Sequence, residues 1–151
     1  MNHPLRTPED YELFLYTLTE QFPSVRKSTV TLVRRGATLA RVTGELHFDH
    51  GHRLVVRERI VYDRLPALLD SYGYEVWRGE EQLYWYDSQP HPDEPRLQAT
   101  HPHQKHISPD IKHHRIPAPA MHFSRPNLPA LIREIEELIK GIGNSSTSAQ
   151  D

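Results

Sequence analysis

Residues 101 to 114 read HPHQKHISPDIKHH, five histidines, two lysines and one acid in fourteen positions. Histidine titrates near neutral pH without help from its surroundings, so such a cluster points to proton transfer, metal ligation or phosphate binding. Three readings stand side by side. In the first, His101, His103 and His106 offer imidazoles to a tetrahedral zinc ion, with His91, Asp87 or His113 as a fourth ligand. In the second, the segment cleaves phosphodiesters without metal. That chemistry needs a base for the 2′-hydroxyl, an acid for the leaving 5′-oxygen and fixed cations for the charge growing on phosphorus. His103 and His106 flank Lys105, and His91, Lys112 and Arg115 lie nearby in sequence. In the third, the histidines are solvated loop residues or contacts for a partner. Tyr84 or Trp85, if exposed, would give an unpaired base a face on which to stack.

Composition narrows the setting. A chain of 151 residues suits one domain around one core, which the patterns below place over residues 1 to 143. It has no cysteine, which excludes disulfides and thiolate metal sites. Its amino terminus lacks the basic and apolar regions of a signal peptide, and no apolar run reaches membrane-spanning length. The expectation is a soluble cytoplasmic protein without membrane contact. A net charge of −2 conceals a basic middle, where Arg26, Lys27, Arg34, Arg35, Arg41, Arg53, Arg57 and Arg59 face only Glu45, Asp49 and Glu58. Such a surface suits a polyanion.

The elements that must position these residues follow from periodicity. Thr7-Pro8-Glu9-Asp10 is a helix start, and Tyr11, Phe14, Leu15, Leu18 and Phe22 recur at helical spacing up to Pro23. From Ser28 the period becomes two: STVTLVRR, TLARVTGELHF and RLVVRERIVY form a three-stranded meander. Within the third strand Leu54, Val56, Ile60 and Tyr62 share one face, and Arg53, Arg57 and Arg59 the other. YGYEVWRG and QLYWYDS around Gly79 add a second hairpin. Prolines punctuate residues 90 to 126, a stretch read as a long loop holding seven of the eleven histidines, with a short strand admissible near His113 to Ile116. Asn127 caps a last helix with an apolar stripe from Leu128 to Ile142, ended by Gly141 and Gly143, and residues 144 to 151 are a disordered tail. The predicted fold is α+β, a five-stranded antiparallel meander with the N- and C-terminal helices on one face.

Tyr84-Trp85-Tyr86-Asp87-Ser88-Gln89-Pro90-His91, a spacer of about ten residues, and then His101-Pro102-His103-Gln104-Lys105-His106 before an apolar helix resemble the pattern of the TumE-type toxins. Tyr86, Asp87, Pro90, His91, Pro102, His103, Lys105 and His106 match that pattern position by position, and the likeness covers roughly residues 50 to 140. Trp85, Pro92 and Gln104 depart from it, standing where the pattern has arginine and two histidines. The resemblance implies the toxin of a toxin–antitoxin pair, a helix-turn-helix antitoxin as partner and a nucleic-acid target. On that basis the leading expectation is a metal-independent endoribonuclease. His103 and His106 would share the acid and base roles, Lys105 with Arg57 or Arg59 would stabilise the phosphorane, and Asp87 would orient a histidine. His91 would be a second base or a substrate contact. Tyr84, Trp85, Lys112 and Arg115 complete the expected RNA surface. A non-catalytic binding module and a zinc-stabilised fold remain the alternatives, and pairing with a second copy of the chain stays open.

Overall fold

The computed structural model describes residues 3–88, 103–108, 110–111, 114–118 and 120–150, excepting side chains from residue 143 onward. Helix α1 spans Pro8–Tyr16. The Thr7 side chain accepts a hydrogen bond from the Asp10 N–H at 3.1 Å, and Glu9 and Asp10 sit at the positive end of the helix dipole. The apolar spacing predicts one continuous helix, but the chain breaks at Thr17, whose hydroxyl donates to the Leu13 carbonyl at 2.8 Å. It resumes as α2, Leu18–Gln21. Such a bond back into the preceding turn competes with the helical ladder.

The sheet contains β1 (Lys27–Ser28), β2 (Thr31–Arg34), β3 (Leu39–His47), β4 (His52–Val61), β5 (Leu68–Arg78), β6 (Glu81–Asp87), β7 (Gln104–His106) and β8 (Arg115–Pro117). Its order is β1-β3-β4-β5-β6-β7-β8, with β2 also on β3. Every pairing is antiparallel. The α+β class is as expected, but the strands number eight rather than five. One extra strand arises because the first predicted strand is split beside Gly44. That glycine has φ 146°, and a Cβ there would lie 2.5 Å from the Val30 Cα. The others come from the stretch read as loop, where β8 falls beside the short strand admitted near His113 to Ile116 and β7 was not expected. Three residues apiece fit between prolines, and Pro117 ends a strand whose outer edge needs no further donor.

Alternation sorts the side chains of the central strands onto two faces. One carries Ala40, Val42, Leu54, Val56, Ile60, Tyr74, Val76, Tyr84 and Tyr86, all buried. Helix α3, Leu128–Gln150, lays the predicted stripe of Leu128, Leu131, Ile132 and Ile135 into this core. It continues through Gly141 and Gly143, where the sequence placed its end. A glycine inside a helix costs only about 1 kcal/mol relative to alanine. Both helices cover the same face: Tyr11 of α1 donates to Glu58 of β4 at 2.6 Å, and Tyr86 of β6 donates to Glu134 of α3 at 2.9 Å.

Glu58 is one of two polar residues in the core row of β4, with His52 at the start of the strand. Tyr74 also donates to Glu58, and Asn127 Nδ2 donates to the Tyr74 hydroxyl at 3.2 Å. The Asn127 amide in addition exchanges hydrogen bonds with the backbone of His122, at 2.8 and 3.0 Å. Its side chain therefore fastens the segment before α3 rather than capping the helix. Burial raises the Glu58 carboxyl above its ordinary pKa against the opposing effect of the two tyrosine hydroxyls.

Candidate functional site

The core positions of Val56 and Glu58 force Arg57 and Arg59 onto the opposite face, which no helix among the described residues covers. There Arg41 of β3 stands beside Arg59, Arg57 beside Gly73, and Gly73 beside Asp87. Among the described residues, these three arginines with Trp85, Asp87 and Ser88 bound much of a pocket of about 490 Å³. Arg41, Arg57 and Arg59 are exposed. The nearest carboxylates are loosely placed, Glu75 at 3.6 Å from Arg57 and Asp70 at 3.4 Å from Arg59. Contacts of that kind at a surface contribute little, so the guanidinium groups stay available to an anion. The Arg57 head lies over Gly73, where a Cβ would come within 2.8 Å of Nη2.

Trp85 and Asp87 of β6 line the pocket, and behind them β6 continues into the β6–β7–β8 ladder. Trp85 pairs with His106, Asp87 with Gln104, and His106 with Arg115. His106 Nε2 lies 3.1 Å from Asp87 Oδ2, and its ring stacks on Trp85 at 3.7 Å between centroids. His106 is fully buried and Asp87 nearly so. Among the described residues, His106 Nδ1 is buried without a partner, as are Asp87 Oδ1, both polar atoms of the Gln104 amide and Arg115 Nε. A buried polar atom left unpaired costs about 1–3 kcal/mol, and several of these sit in adjacent register positions.

Lys105 and His103 do not join this group. Lys105 pairs in register with Tyr86 and emerges on the helix side, its Nζ 4.3 Å from the Tyr84 ring centroid, 5.2 Å from that of Tyr86 and 3.4 Å from Glu134 Oε2. His103 stacks parallel to Tyr72, with its Nδ1 at the Tyr72 hydroxyl, and packs on Phe123 at 4.5 Å. Tyr72 itself stacks on the core residue Tyr74 at 5.0 Å.

Of the residues expected from sequence, Asp87, His106, Arg57, Arg59 and Trp85 therefore meet on the open face, with Arg115 beside His106. Tyr84 is buried on the helix side under Lys105 and offers no open ring face there. His91, His101, Lys112 and His113 lie outside the described residues. Among those described, no three His, Asp or Glu side chains come together to hold a metal ion. Arg41, Gly73, Ser88 and Gln104 were not singled out in advance. Arg41 was within reach of period two, since it alternates with the core residues Ala40 and Val42. Among the described residues, no helix is long and apolar enough to cross a membrane.

A family model described as Toxin TumE matches residues 15–139, a span that contains the whole sheet and most of the apolar stripe of α3. No curated protein and no solved structure matches the chain.

Proposed function

We propose, from the premise that this chain belongs to the TumE toxin family and so has an antitoxin as its partner, that it acts on RNA through the open face of its sheet. The observation that carries the proposal is a pocket lined by Arg41, Arg57 and Arg59 together with Asp87, the carboxylate that His106 contacts from behind. Single-stranded RNA laid in that pocket places a phosphate among the guanidinium groups, which suit phosphate oxygens in charge and in planar fork geometry. Trp85 supplies an aromatic surface for a base.

In the catalytic form of this reading, the 2′-oxygen attacks phosphorus and its proton passes to the Asp87 carboxylate, which borders the pocket. The 5′-oxygen leaves with a proton from water, a 2′,3′-cyclic phosphate remains, and the hydroxide so formed takes back the proton held by Asp87. The arginines oppose the charge that builds on phosphorus. His106 acts behind Asp87 as a positioning residue, holding Oδ2 through Nε2–H so that the carboxylate keeps one orientation. Lys105, on the other face, has no part in this version of the site.

The full burial of His106 favours a second reading, in which the Asp87–His106 pair only fastens β7 to β6 and the arginine face binds RNA without cutting it. Labelled single-stranded RNA incubated with the protein in EDTA separates the two. Cleavage that falls on the order of 10²-fold in Asp87→Asn, with an unchanged melting temperature, supports catalysis. Salt-dependent binding without products supports the binder. The absence of both, in folded protein, overturns the RNA reading.

A further inference from the structure

A second pocket, of about 460 Å³, shares Arg57 and Trp85 with the first. Among the described residues its other walls are Glu75, Gln82 and Ile111. We propose that it receives one unpaired nucleobase of any identity, so that the protein reads single-strandedness rather than sequence. The inference rests on the RNA reading above. Charge sets the class of occupant. Among its described walls this pocket has one guanidinium and one carboxylate, Arg57 and Glu75, 3.6 Å apart, where the first pocket gathers three arginines. It suits a neutral group better than a second phosphate, and the neutral planar group that RNA carries beside each phosphate is a base.

Its walls fit a base without sorting one base from another. The Trp85 ring is set before a ligand arrives, with His106 stacked on one face and the indole N–H donating to the Ile111 carbonyl at 3.2 Å. Stacking on such a ring tolerates any sequence, because every base has a π-face. Gln82 meets the edge. Its Nε2 donates to Glu75 Oε1 at 3.1 Å, an oxygen that also accepts from Trp77 Nε1 at 3.2 Å. An ionised carboxylate only accepts, so that bond fixes which way round the amide stands. One N–H and Oε1 of Gln82 are left without a partner among the described residues. A donor beside an acceptor pairs with the N6–H and N1 of adenine, the N3–H and O4 of uracil, the N4–H and N3 of cytosine, or the N1–H and O6 of guanine. Those are the edges used in base pairing, so only an unpaired base can present one.

The test is fluorescence anisotropy of labelled RNA of one length at two salt concentrations, with melting temperatures measured alongside. The probes are oligoadenylate, oligouridylate, oligocytidylate, the duplex of the first two, and a ribose-phosphate oligomer without bases. The three single strands should bind within about fivefold of one another, below what a base-selective contact gives. The abasic oligomer should bind on the order of tenfold more weakly, the loss of one stacked base. Gln82→Met, similar in length but without the amide, should weaken all three single strands by a common factor of about three and leave the abasic oligomer and the duplex as in wild type. Abasic RNA that binds as tightly as the single strands, a spread among the three well beyond fivefold, or folded Gln82→Met protein that loses nothing or loses equally on every probe overturns the subsite and leaves the RNA reading standing. No salt-dependent binding of any probe overturns the RNA reading and the subsite with it.

Discussion

Lys105 and His106 are neighbours in sequence and stand on opposite faces of the sheet. His106 reaches Asp87 at 3.1 Å on the open side, while the Lys105 ammonium sits over the Tyr84 ring at 4.3 Å on the helix side. Within a strand this outcome is forced by the pleat, so once residues 104–106 pair with β6 the two side chains cannot serve one site.

The separation predicts that Lys105→Met is a stability variant and not a functional one. Losing the contacts with Tyr84, Tyr86 and Glu134 should cost about 1–2 kcal/mol in a urea titration. RNA affinity and its salt dependence should stay within about twofold of wild type, a small change beside the factor of 10 that each 1.4 kcal/mol represents. A large loss of RNA affinity at wild-type stability would place the working lysine on the other side of the sheet.

Gly73→Ala should do the reverse. The glycine has no positive φ, and the atom a new Cβ would meet, 2.8 Å away, is the far end of the flexible Arg57 side chain. The backbone accepts alanine and the guanidinium must shift from its place over residue 73. Stability should change by less than about 0.5 kcal/mol, while the salt slope of RNA binding should fall by about 0.7, the loss of one phosphate contact to a single strand. An unchanged slope would show that Arg57 does not meet phosphate from this position.

Glu58 predicts a pH dependence with a definite sign. Burial raises its folded pKa above the unfolded value of about 4.3, so between the two values the folded state binds the extra proton. The stability it contributes is fully present below the unfolded pKa and is lost as pH rises through the folded one. Urea midpoints should therefore fall from mildly acid toward neutral pH in wild type and fall less in Glu58→Gln, which keeps the Tyr11 bond through its amide oxygen. Parallel curves for the two proteins would move the source of the pH dependence elsewhere.

The sequence by itself determined which segments fold and which side of each long strand faces the core. Period two over residues 39–61 and the Leu128 to Ile135 stripe are local patterns, and burying apolar area is the largest local demand on them. It also supplied candidate site residues, Arg57 and Arg59 from charge balance, His106 from the histidine cluster, and Asp87 as an orienting carboxylate through the resemblance to the TumE-type toxins. What only the tertiary structure decided is which of these residues meet. A three-residue strand carries too short a pattern to reveal its register, and pairing of Trp85 with His106 and Tyr86 with Lys105 sets the faces. Had β7 slipped by one residue, Lys105 would have joined the arginines and His106 the core. The split beside Gly44 and the tyrosine cage around Glu58 are likewise decided by contacts between residues far apart in the chain, where local spacing has no purchase.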